Sequence, residues 1–363
     1  MIHIKKIYIV LVFLILISCN RFKQINYINI KNQLFNTTTC KLSYLSDSIS
    51  YIILETNNNC LLPANSSILH IDEKDVFIRG GNYLYRFDRE GLYKNKIGKV
   101  GGGPEEYYQL YDAGIDSAKN FVLMLAPPNN VYLYDYEGIF IKKIKLNNNT
   151  QTVSYIKNNT FACIINEDND VYSTFFNIYD YDGNLIQQLT LENDSYKFTK
   201  SMMSVPIIYK TEDHINVKFV YNDTIFKLSN DKIYISHVLN TGKYCPNREI
   251  IENMNKKEDL MANYLQIVDI VETKKYIFVL SIWQRKVFGI VYNKITNEFI
   301  HSNYIENPKH GGGIENDLTN FGKFWPMKAI GGKEIVHLIY PHDAGMTDID
   351  AEANPIVQII HLK

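Results

Sequence analysis

The sequence predicts an all-β fold, a six-bladed β-propeller with four-stranded antiparallel blades and a short helical insertion. An aromatic or β-branched run followed by Asp-x-Glu/Asp-Gly and a second apolar alternation occurs three times, with its first carboxylates at Asp88, Asp135 and Asp180. These copies stand 47 and 45 residues apart, a period typical of propeller blades. The chain also holds 27 tyrosines and 18 phenylalanines, residue types that favour half-buried strands.

The repeats place strands in three consecutive blades, and weaker patterns extend the series. Strands are expected at 76–79, 83–88 and 92–97 in blade 1, at 121–125, 131–135 and 139–146 in blade 2, and at 160–165, 174–179 and 185–191 in blade 3. Further strands are expected at 222–228 and 233–238, at 276–281 and 287–292, and at 334–340 and 356–362. Residues 246–265 carry apolar side chains at loosely helical spacing, which predicts the helical insertion.

The number of blades follows from the length. Roughly 320 folded residues at about 45 per blade give seven, and the insertion and long loops reduce the count to six. A propeller must also close. Pairing residues 51–54 with strands from the last stretch removes two open edges at once, so residues 44–363 are predicted to form one domain.

The first residues are typical of an export signal. Lys5 and Lys6 precede an apolar stretch at 7–17, which is too short for a permanent membrane span. The following Leu-Ile-Ser-Cys resembles the bacterial lipobox, which implies that residues 1–18 are removed and that Cys19 becomes a lipidated N-terminus. The polar, Asn-rich residues 19–43 are expected to form a flexible tether.

Residues 20–23, Asn-Arg-Phe-Lys, resemble neither the signal for inner-membrane retention nor that for surface export. By that resemblance we expect an outer membrane lipoprotein, with the periplasmic face favoured over the cell surface. The net charge is −1 without a basic stripe, which argues against nucleic acid as a partner. A disulfide between Cys40 and Cys60 is conceivable, but buried free thiols are the favoured interpretation.

Residues 97–107 follow the first repeat and read Ile-Gly-Lys-Val-Gly-Gly-Gly-Pro-Glu-Glu-Tyr. This segment resembles the signature of six-bladed β-propeller lipoproteins with NHL-like repeats, in which Gly-x-Gly-Pro-Gly-Glu-Tyr is usual. Glu105 stands where that family has a glycine. The resemblance implies the fold and a lipid anchor, but no reaction and no catalytic residues.

Two glycine-rich loops contain the candidate binding residues. In the first, closely approaching backbone amides, two carboxylates and a tyrosine could bind a sugar or a cation; the alternative, a structural crossover between blades, is favoured. In the second, a tryptophan beside polar groups is a possible sugar platform, against an ordered structural loop. The candidates are Gly102, Gly103, Glu105, Glu106 and Tyr107 in the first loop, and His310, Asn316, Asp317 and Trp325 in the second.

No metal site is predicted, although calcium is possible at two acidic loops, residues 342–352 and 166–170. Both lack the glycine and terminal glutamate of an EF-hand, so solvated loops are favoured. Histidines and serines show no metal-binding or hydrolase motif.

Two hypotheses on function follow. The first is a lipid-anchored, non-catalytic binding or scaffold module for a glycan, a peptide or a partner protein of the envelope. The alternative is a metal-dependent lactonase or lyase with its site in the central channel, which rests on fold analogy. The second hypothesis requires histidine and carboxylate side chains to converge in the channel.

Overall fold

A computed structural model describes residues 25–146, 150, 152–167, 173–192, 206–211, 214–219, 222–229, 232–247, 249–250, 262–306, 312–341 and 352–363. The described elements begin with β1 (Asn26–Ile28), a 3-10 turn (Ile30–Asn32), the short helix α1 (Leu42–Leu45) and β2 (Ser46–Ile53). Blade 1 contains β3 (Ser67–Ile71), β4 (Asp75–Gly80), β5 (Tyr83–Asp88) and β6 (Tyr93–Lys96). Blade 2 contains β7 (Asp112–Asp116), β8 (Phe121–Ala126), β9 (Asn130–Asp135) and β10 (Phe140–Lys145).

The remaining four blades follow in chain order. Blade 3 contains β11 (Thr152–Tyr155), β12 (Thr160–Glu167), β13 (Ser173–Asp180) and β14 (Leu185–Glu192). Blade 4 contains β15 (Ile207–Thr211), β16 (His214–Lys218), β17 (Thr224–Ser229) and β18 (Lys232–Leu239), and a 3-10 turn (Gly242–Tyr244) follows it. Blade 5 contains β19 (Gln266–Glu272), β20 (Tyr276–Trp283), β21 (Lys286–Asn293) and β22 (Glu298–Tyr304). A hairpin of β23 (Ile314–Glu315) and β24 (Lys323–Phe324) precedes β25 (Lys328–Ile330), β26 (Glu334–Ile339) and β27 (Ile356–Leu362) of blade 6.

The predicted fold class is confirmed: the protein is an all-β, six-bladed propeller with four-stranded antiparallel blades. In each blade the strands follow one another from the channel to the rim. The crossovers between blades therefore share one face with the second turn of each blade, which we call the crossover face. The first and third turns lie on the opposite turn face. The helical insertion predicted at 246–265 falls largely on residues 248 and 251–261, which lie outside the described residues.

The repeated Asp-x-Glu/Asp-Gly sequence forms the third turn of blades 1 to 3. Each first aspartate accepts a backbone N–H four residues later, from Leu92 to Asp88 at 2.9 Å and from Ile139 to Asp135 at 2.8 Å. The turn glycines have φ between +81° and +88°, a region that side chains make costly. These two requirements explain why the pattern recurs.

The same turns also lock each blade to the one before it. A Cβ atom at Gly91 would lie 1.9 Å from the Ile53 carbonyl oxygen of blade 6, and one at Gly138 would lie 2.9 Å from the Lys96 carbonyl oxygen of blade 1. In blades 2 and 3 a tyrosine follows the first aspartate. Its hydroxyl donates to a carboxylate of the preceding blade, from Tyr136 to Asp72 at 3.1 Å and from Tyr181 to Asp116 at 2.7 Å.

The hydrophobic core is a ring of six layers, one between each pair of neighbouring blades. The layer between blades 1 and 2, for example, buries Phe77, Val122, Tyr107 and Tyr134. Alternate residues of each central strand therefore face two different layers. This arrangement buries both faces of each blade. The central strands are therefore nearly continuous runs of apolar residues in the sequence.

The ring closes as predicted. Strand β2 pairs antiparallel with β27, from Ser46 opposite Leu362 to Ile53 opposite Ile356, and forms the outermost strand of blade 6. Blade 6 thus combines one strand from the N-terminal side with three from the C-terminal end.

Residues 25–43 differ from the expected flexible tether. Strand β1 pairs parallel with β18 as a fifth strand of blade 4, and Thr38 exchanges backbone hydrogen bonds with Ser302 on the outer strand of blade 5. The side chains of Ile28 and Ile30 are buried in the layer between blades 4 and 5. The segment is a strap along the rim because it contains enough apolar residues, at irregular spacing, to cover two outer strands.

The cysteines of the described chain are free thiols. Cys60 lies in the layer between blades 6 and 1, and Cys40 packs against the layer between blades 5 and 6. Burial raises the pKa of the Cys40 thiol to about 12, so this thiol stays protonated at neutral pH. Cys40 and Cys60 therefore lie in different layers of the ring, and the structure does not join them by a disulfide.

Substitution of Gly91 tests the contact between blades 6 and 1. Gly91→Ala should lower the free energy of unfolding by about 2–4 kcal/mol, because a left-handed alanine costs about 1–2 kcal/mol and overpacking adds more. Gly81 is the matched control, with a φ of +60° and no heavy atom within 4 Å of the position that a methyl group would take. Gly81→Ala should lower the free energy of unfolding only by the cost of placing an alanine in the left-handed conformation. Equal losses in urea denaturation of the two variants would contradict the interlock.

Candidate functional site

The first candidate loop, residues 101–107, is the crossover between blades 1 and 2. The Glu106 carboxylate folds back onto the loop and accepts the Gly103 N–H at 2.9 Å. A Cβ atom at Gly101 would lie 2.1 Å from Glu106 Oε2, so this glycine makes room for the carboxylate. Glu106 therefore stabilises the loop, while Gly102 and Glu105 are exposed.

Tyr107 connects the same loop to the blades. Its side chain is 0% exposed, and its hydroxyl donates to the Asn82 carbonyl at 2.9 Å. The Tyr134 hydroxyl donates to the Glu105 carbonyl at 2.7 Å. Burial raises the pKa of both phenols. These contacts match the crossover interpretation, and a ligand at this loop stays a prediction.

The second candidate loop belongs to the crossover between blades 5 and 6. The Asp317 carboxylate accepts the Ser43 N–H at 2.9 Å and the Ser43 hydroxyl at 2.6 Å, which attaches helix α1 and lowers the pKa of Asp317. The Asn316 side chain bonds to Thr319 inside its own turn. His310 lies outside the described residues.

Trp325 is 3% exposed and lies in the layer between blades 5 and 6. Its ring meets Phe278 edge-on, with 6.1 Å between centroids. A methyl group at Gly289 would overlap the indole, so this glycine provides the space for it. In this position the indole packs against protein and does not offer an open face to a sugar.

A different part of the molecule forms a large polar cavity. A volume of about 710 Å³ lies along the central channel, and its wall comes from the innermost strands of all six blades, β3, β7, β11, β15, β19 and β25. It extends to the turn face, where Lys274 and Gly332 lie in first turns of blades 5 and 6, and into the cleft between blades 4 and 5. Of the candidate residues that the structure describes in the two loops, none lines it.

The sequence prediction contained no innermost strand. These strands are short and interrupted by polar residues or glycine, such as Asp-Ala-Gly-Ile-Asp in β7 and Lys-Ala-Ile in β25. Such strands lack the apolar alternation by which the sequence predicts the other strands. The repeat itself is the one signal for them. Before the first predicted strand of each copy, it leaves a stretch long enough for one more strand.

Charged side chains of both signs line the cavity. The cations are Lys210, Lys227, Lys274, Lys294 and Lys328, the carboxylates are Asp112, Asp269 and Glu272, and the imidazoles are His70, His214 and His237. Charges near a low-dielectric wall cost stability unless they are paired or solvated. Their concentration in one cavity is therefore a mark of function.

Lys328 is central to this charge pattern. It extends from blade 6, donates to the Leu69 carbonyl of blade 1, and interacts electrostatically with Asp112 and Asp269. Burial lowers the pKa of Lys328, and the neighbouring Lys210 lowers it further, whereas the two carboxylates oppose the shift. Burial also raises the pKa of Asp112 and of Asp269 to about 6.

Two further groups extend the polar wall. Glu272 accepts from Lys294 Nζ and from the Tyr209 hydroxyl, both at 2.8 Å, which joins blades 4 and 5 at the cleft. His70 Nε2 lies 2.9 Å from the Ser117 hydroxyl. Burial, followed by the nearby Lys328 charge, lowers the pKa of His70 to about 4, so this imidazole is neutral at physiological pH.

In the part of the chain that the structure describes, no three His, Cys, Asp or Glu side chains converge as a metal site would require. The described channel therefore offers no ligand set to the metal-dependent hypothesis. Of the two acidic loops considered for calcium, residues 342–351 and 168–170 lie outside the described residues. What the described cavity can do is hold a polar molecule between fixed donors and acceptors.

Comparison with known proteins places this architecture in a family. The sequence profile of a domain of unknown function, DUF4934, matches residues 25–361. The chain belongs to the DUF4934 family. No curated protein sequence matches it.

Solved structures are similar to this DUF4934 protein to different degrees, and the first one below shares its fold. A Bacteroides fragilis protein inferred to be exported is similar over 93% of this chain and 100% of its own, with a TM-score of 0.72 and 19% identity. A Bacteroides caccae protein of unknown function has a TM-score of 0.40 and 8% identity, over 64% of this chain and 78% of its own. BamB from Moraxella catarrhalis has a TM-score of 0.42 and 10% identity, over 87% of this chain and 99% of its own.

Asp269 makes the electrostatics of the cavity testable. Its pKa of about 6 in the folded protein exceeds the usual value of about 4, so its contribution to stability is present below pH 4 and is lost as the pH rises through 6. In the wild type, Asp269 Oδ1 accepts the Ile270 N–H at 2.8 Å. Asp269→Asn keeps an oxygen that can accept the same N–H. We expect this variant to gain about 1–2 kcal/mol relative to wild type between pH 4 and pH 7.

The measurement is urea denaturation across that pH range. Asp317→Asn is the control of opposite sign, because the pKa of Asp317 is lowered by its bonds to Ser43. This variant is followed from pH 2 to about pH 5, and it should lose stability relative to wild type as the pH rises through that window, where the Asp317 carboxylate ionises. A pH-independent difference between Asp269→Asn and wild type would show that the carboxylate is not destabilised by burial.

Proposed function

We propose that this protein is a lipid-anchored binding module of the cell envelope whose propeller channel receives a small polar ligand. The observation that carries the proposal is the cavity of about 710 Å³ lined by all six innermost strands, four of which, β7, β15, β19 and β25, contribute charged side chains. Its volume falls within the range of about 300–1,000 Å³ that is usual for ligand sites. The lipid anchor at Cys19 and the outer membrane, periplasmic face favoured, complete the proposal.

The energetic cost of the channel supports a role in binding. Lys328, Asp112 and Asp269 all have pKa values moved toward the neutral form by burial. A channel that served only to close the ring would be more stable with apolar side chains at these positions. Burying these charged groups costs the protein stability. A ligand that forms ion pairs or hydrogen bonds with them in the cavity would offset that cost.

The wall chemistry indicates the type of ligand. Side chains of both charges and neutral hydrogen-bonding groups line the cavity, and Tyr155 and Tyr209 supply aromatic surface. A short glycan or a short peptide satisfies both features, since each has many hydrogen-bonding groups and an apolar face. A protein partner could present such a peptide as a loop. This binding function needs no reaction.

Lys328→Met tests the cavity, because it removes the central charge and keeps the length of the side chain. The full-length lipidated protein in detergent would be titrated with neutral, acidic and amino sugars of one to three units and with di- and tripeptides. For any probe that binds the wild type, we expect a loss of affinity of about tenfold or more with Lys328→Met.

The matched control is Lys333→Met, five positions along the chain and exposed in the first turn of blade 6. It should bind as the wild type does. Binding that is unaffected by Lys328→Met would place the ligand outside the channel, and an absence of binding to every probe would argue against a glycan or short peptide as the ligand.

The anchor is tested separately. Cys19→Ala removes the thioether on which the acyl chains would be built, so the protein should move from the membrane fraction to the soluble fraction. None of the helices in the described part of the chain has the length and apolarity that crossing a bilayer demands. Retention of Cys19→Ala in salt-washed membranes would refute the lipobox assignment.

A further inference from the structure

The rim strap makes the connection between Cys19 and the propeller short. The first described residue is Ile25, and β1 begins at the next position on the edge of blade 4. Six residues of extended chain reach about 20 Å at most. A tether that continued to residue 43 would have reached several times farther. A lipid at Cys19 would therefore hold the rim of blade 4 close to the bilayer surface.

An aromatic array lies on this part of the rim, at the crossover face of blades 4 and 5. Phe35 of the strap contacts Trp283 edge-on at 5.4 Å between centroids, and Tyr244 lies 6.0 Å and 5.6 Å from these two rings. Phe288 and Tyr304 continue the array at 6.2 Å and 6.3 Å. Phe35 is 63% exposed and Tyr304 is also exposed.

Basic side chains surround the array. Lys243 Nζ lies 5.4 Å from the centroid of the Tyr244 ring, and Lys286 Nζ lies 6.0 Å from that of Tyr304. Lys31 packs beside Gly242, and Arg285 is exposed in the turn after Trp283. The acidic side chains near the array are Glu249 and Glu306, the latter exposed two positions after Tyr304, against the four basic ones. Positive charge therefore prevails where the aromatic side chains are exposed.

We propose that this aromatic and basic rim docks onto a phospholipid leaflet with anionic headgroups. The inference rests on the proposed lipid anchor at Cys19. Aromatic rings with a polar edge and lysines with long apolar stems are the side chains that settle at the headgroup level of a bilayer. One acyl-anchored terminus plus a basic patch gives the two signals that stable attachment needs.

Docking in this way fixes the direction of the channel. The array lies at the crossover face, whereas the cavity reaches first-turn residues such as Lys274 on the turn face. The turn-face mouth of the channel then opens away from the membrane, toward ligands in the aqueous compartment. The bilayer then holds the protein through the acyl chains at Cys19 and orients it through the aromatic and basic rim.

The two tryptophans of the chain provide the test. Trp283 lies in the proposed contact and Trp325 is buried in a layer between blades. The lipidated full-length protein would be reconstituted into vesicles of phosphatidylethanolamine and phosphatidylglycerol that carry a spin-labelled lipid at the headgroup level. We expect quenching of the Trp283 fluorescence, and we expect Trp283→Phe to remove the quenchable part of the emission.

Charge and aromatic variants test the same surface by a second readout. Lys243→Gln combined with Lys286→Gln should weaken binding of the Cys19→Ala protein to these vesicles by about fivefold per lysine. Phe35→Ser should weaken it further. Tyr108→Ser is the matched control, since Tyr108 is 79% exposed on the crossover between blades 1 and 2, far around the wheel from the array.

Three outcomes would overturn the inference. The protein could float with the vesicles while Trp283 remains unquenched. That result would support the lipid anchor and contradict docking of the rim. Equal weakening by Tyr108→Ser would mean that no particular rim contacts lipid. Failure of the protein to float with vesicles would remove both the anchor and the docking.

Discussion

Blades 1 to 3 each press a left-handed glycine of their third turn against the outer strand of the blade before it, and this contact sets the spacing between these neighbours. Gly91 touches blade 6 and Gly138 touches blade 1 through carbonyl oxygens that leave no room for a side chain. The tyrosines beside the turns of blades 2 and 3 add hydrogen bonds to carboxylates of the preceding blade, the partly buried Asp72 and the buried Asp116. A single sequence pattern therefore bends the chain and also joins successive blades.

The ring of interblade contacts leaves an axis that the protein does not fill. Six innermost strands face one another across the channel, and the side chains there cannot pack as those between blades do. The positions become available to charged residues such as Lys328, Asp112 and Asp269, whose altered pKa values record the cost of that placement. The same geometry that stabilises the rim creates a polar centre.

The sequence was informative where a residue type is required by backbone geometry. The aspartate and glycine of the repeated turns predicted the blades, and the need to remove two open edges predicted that residues 51–54 close the ring. The innermost strands were missed because three to seven residues with internal polar groups show no period. The candidate loops were chosen for glycine and aromatic content, and the structure explains Gly101 and Trp325 by packing. The strap was missed because Ile28 and Ile30 are too few to stand out among asparagines.

The strap and closing strand have a consequence for biosynthesis. Ser43 and Lys363 meet although they are 320 residues apart in the chain, and β2 has no partner until β27 has been made. The first structured residues to emerge are thus among the last to find their places. Because such distant pairing slows folding, the ring can close only after the C-terminal strand has been synthesised.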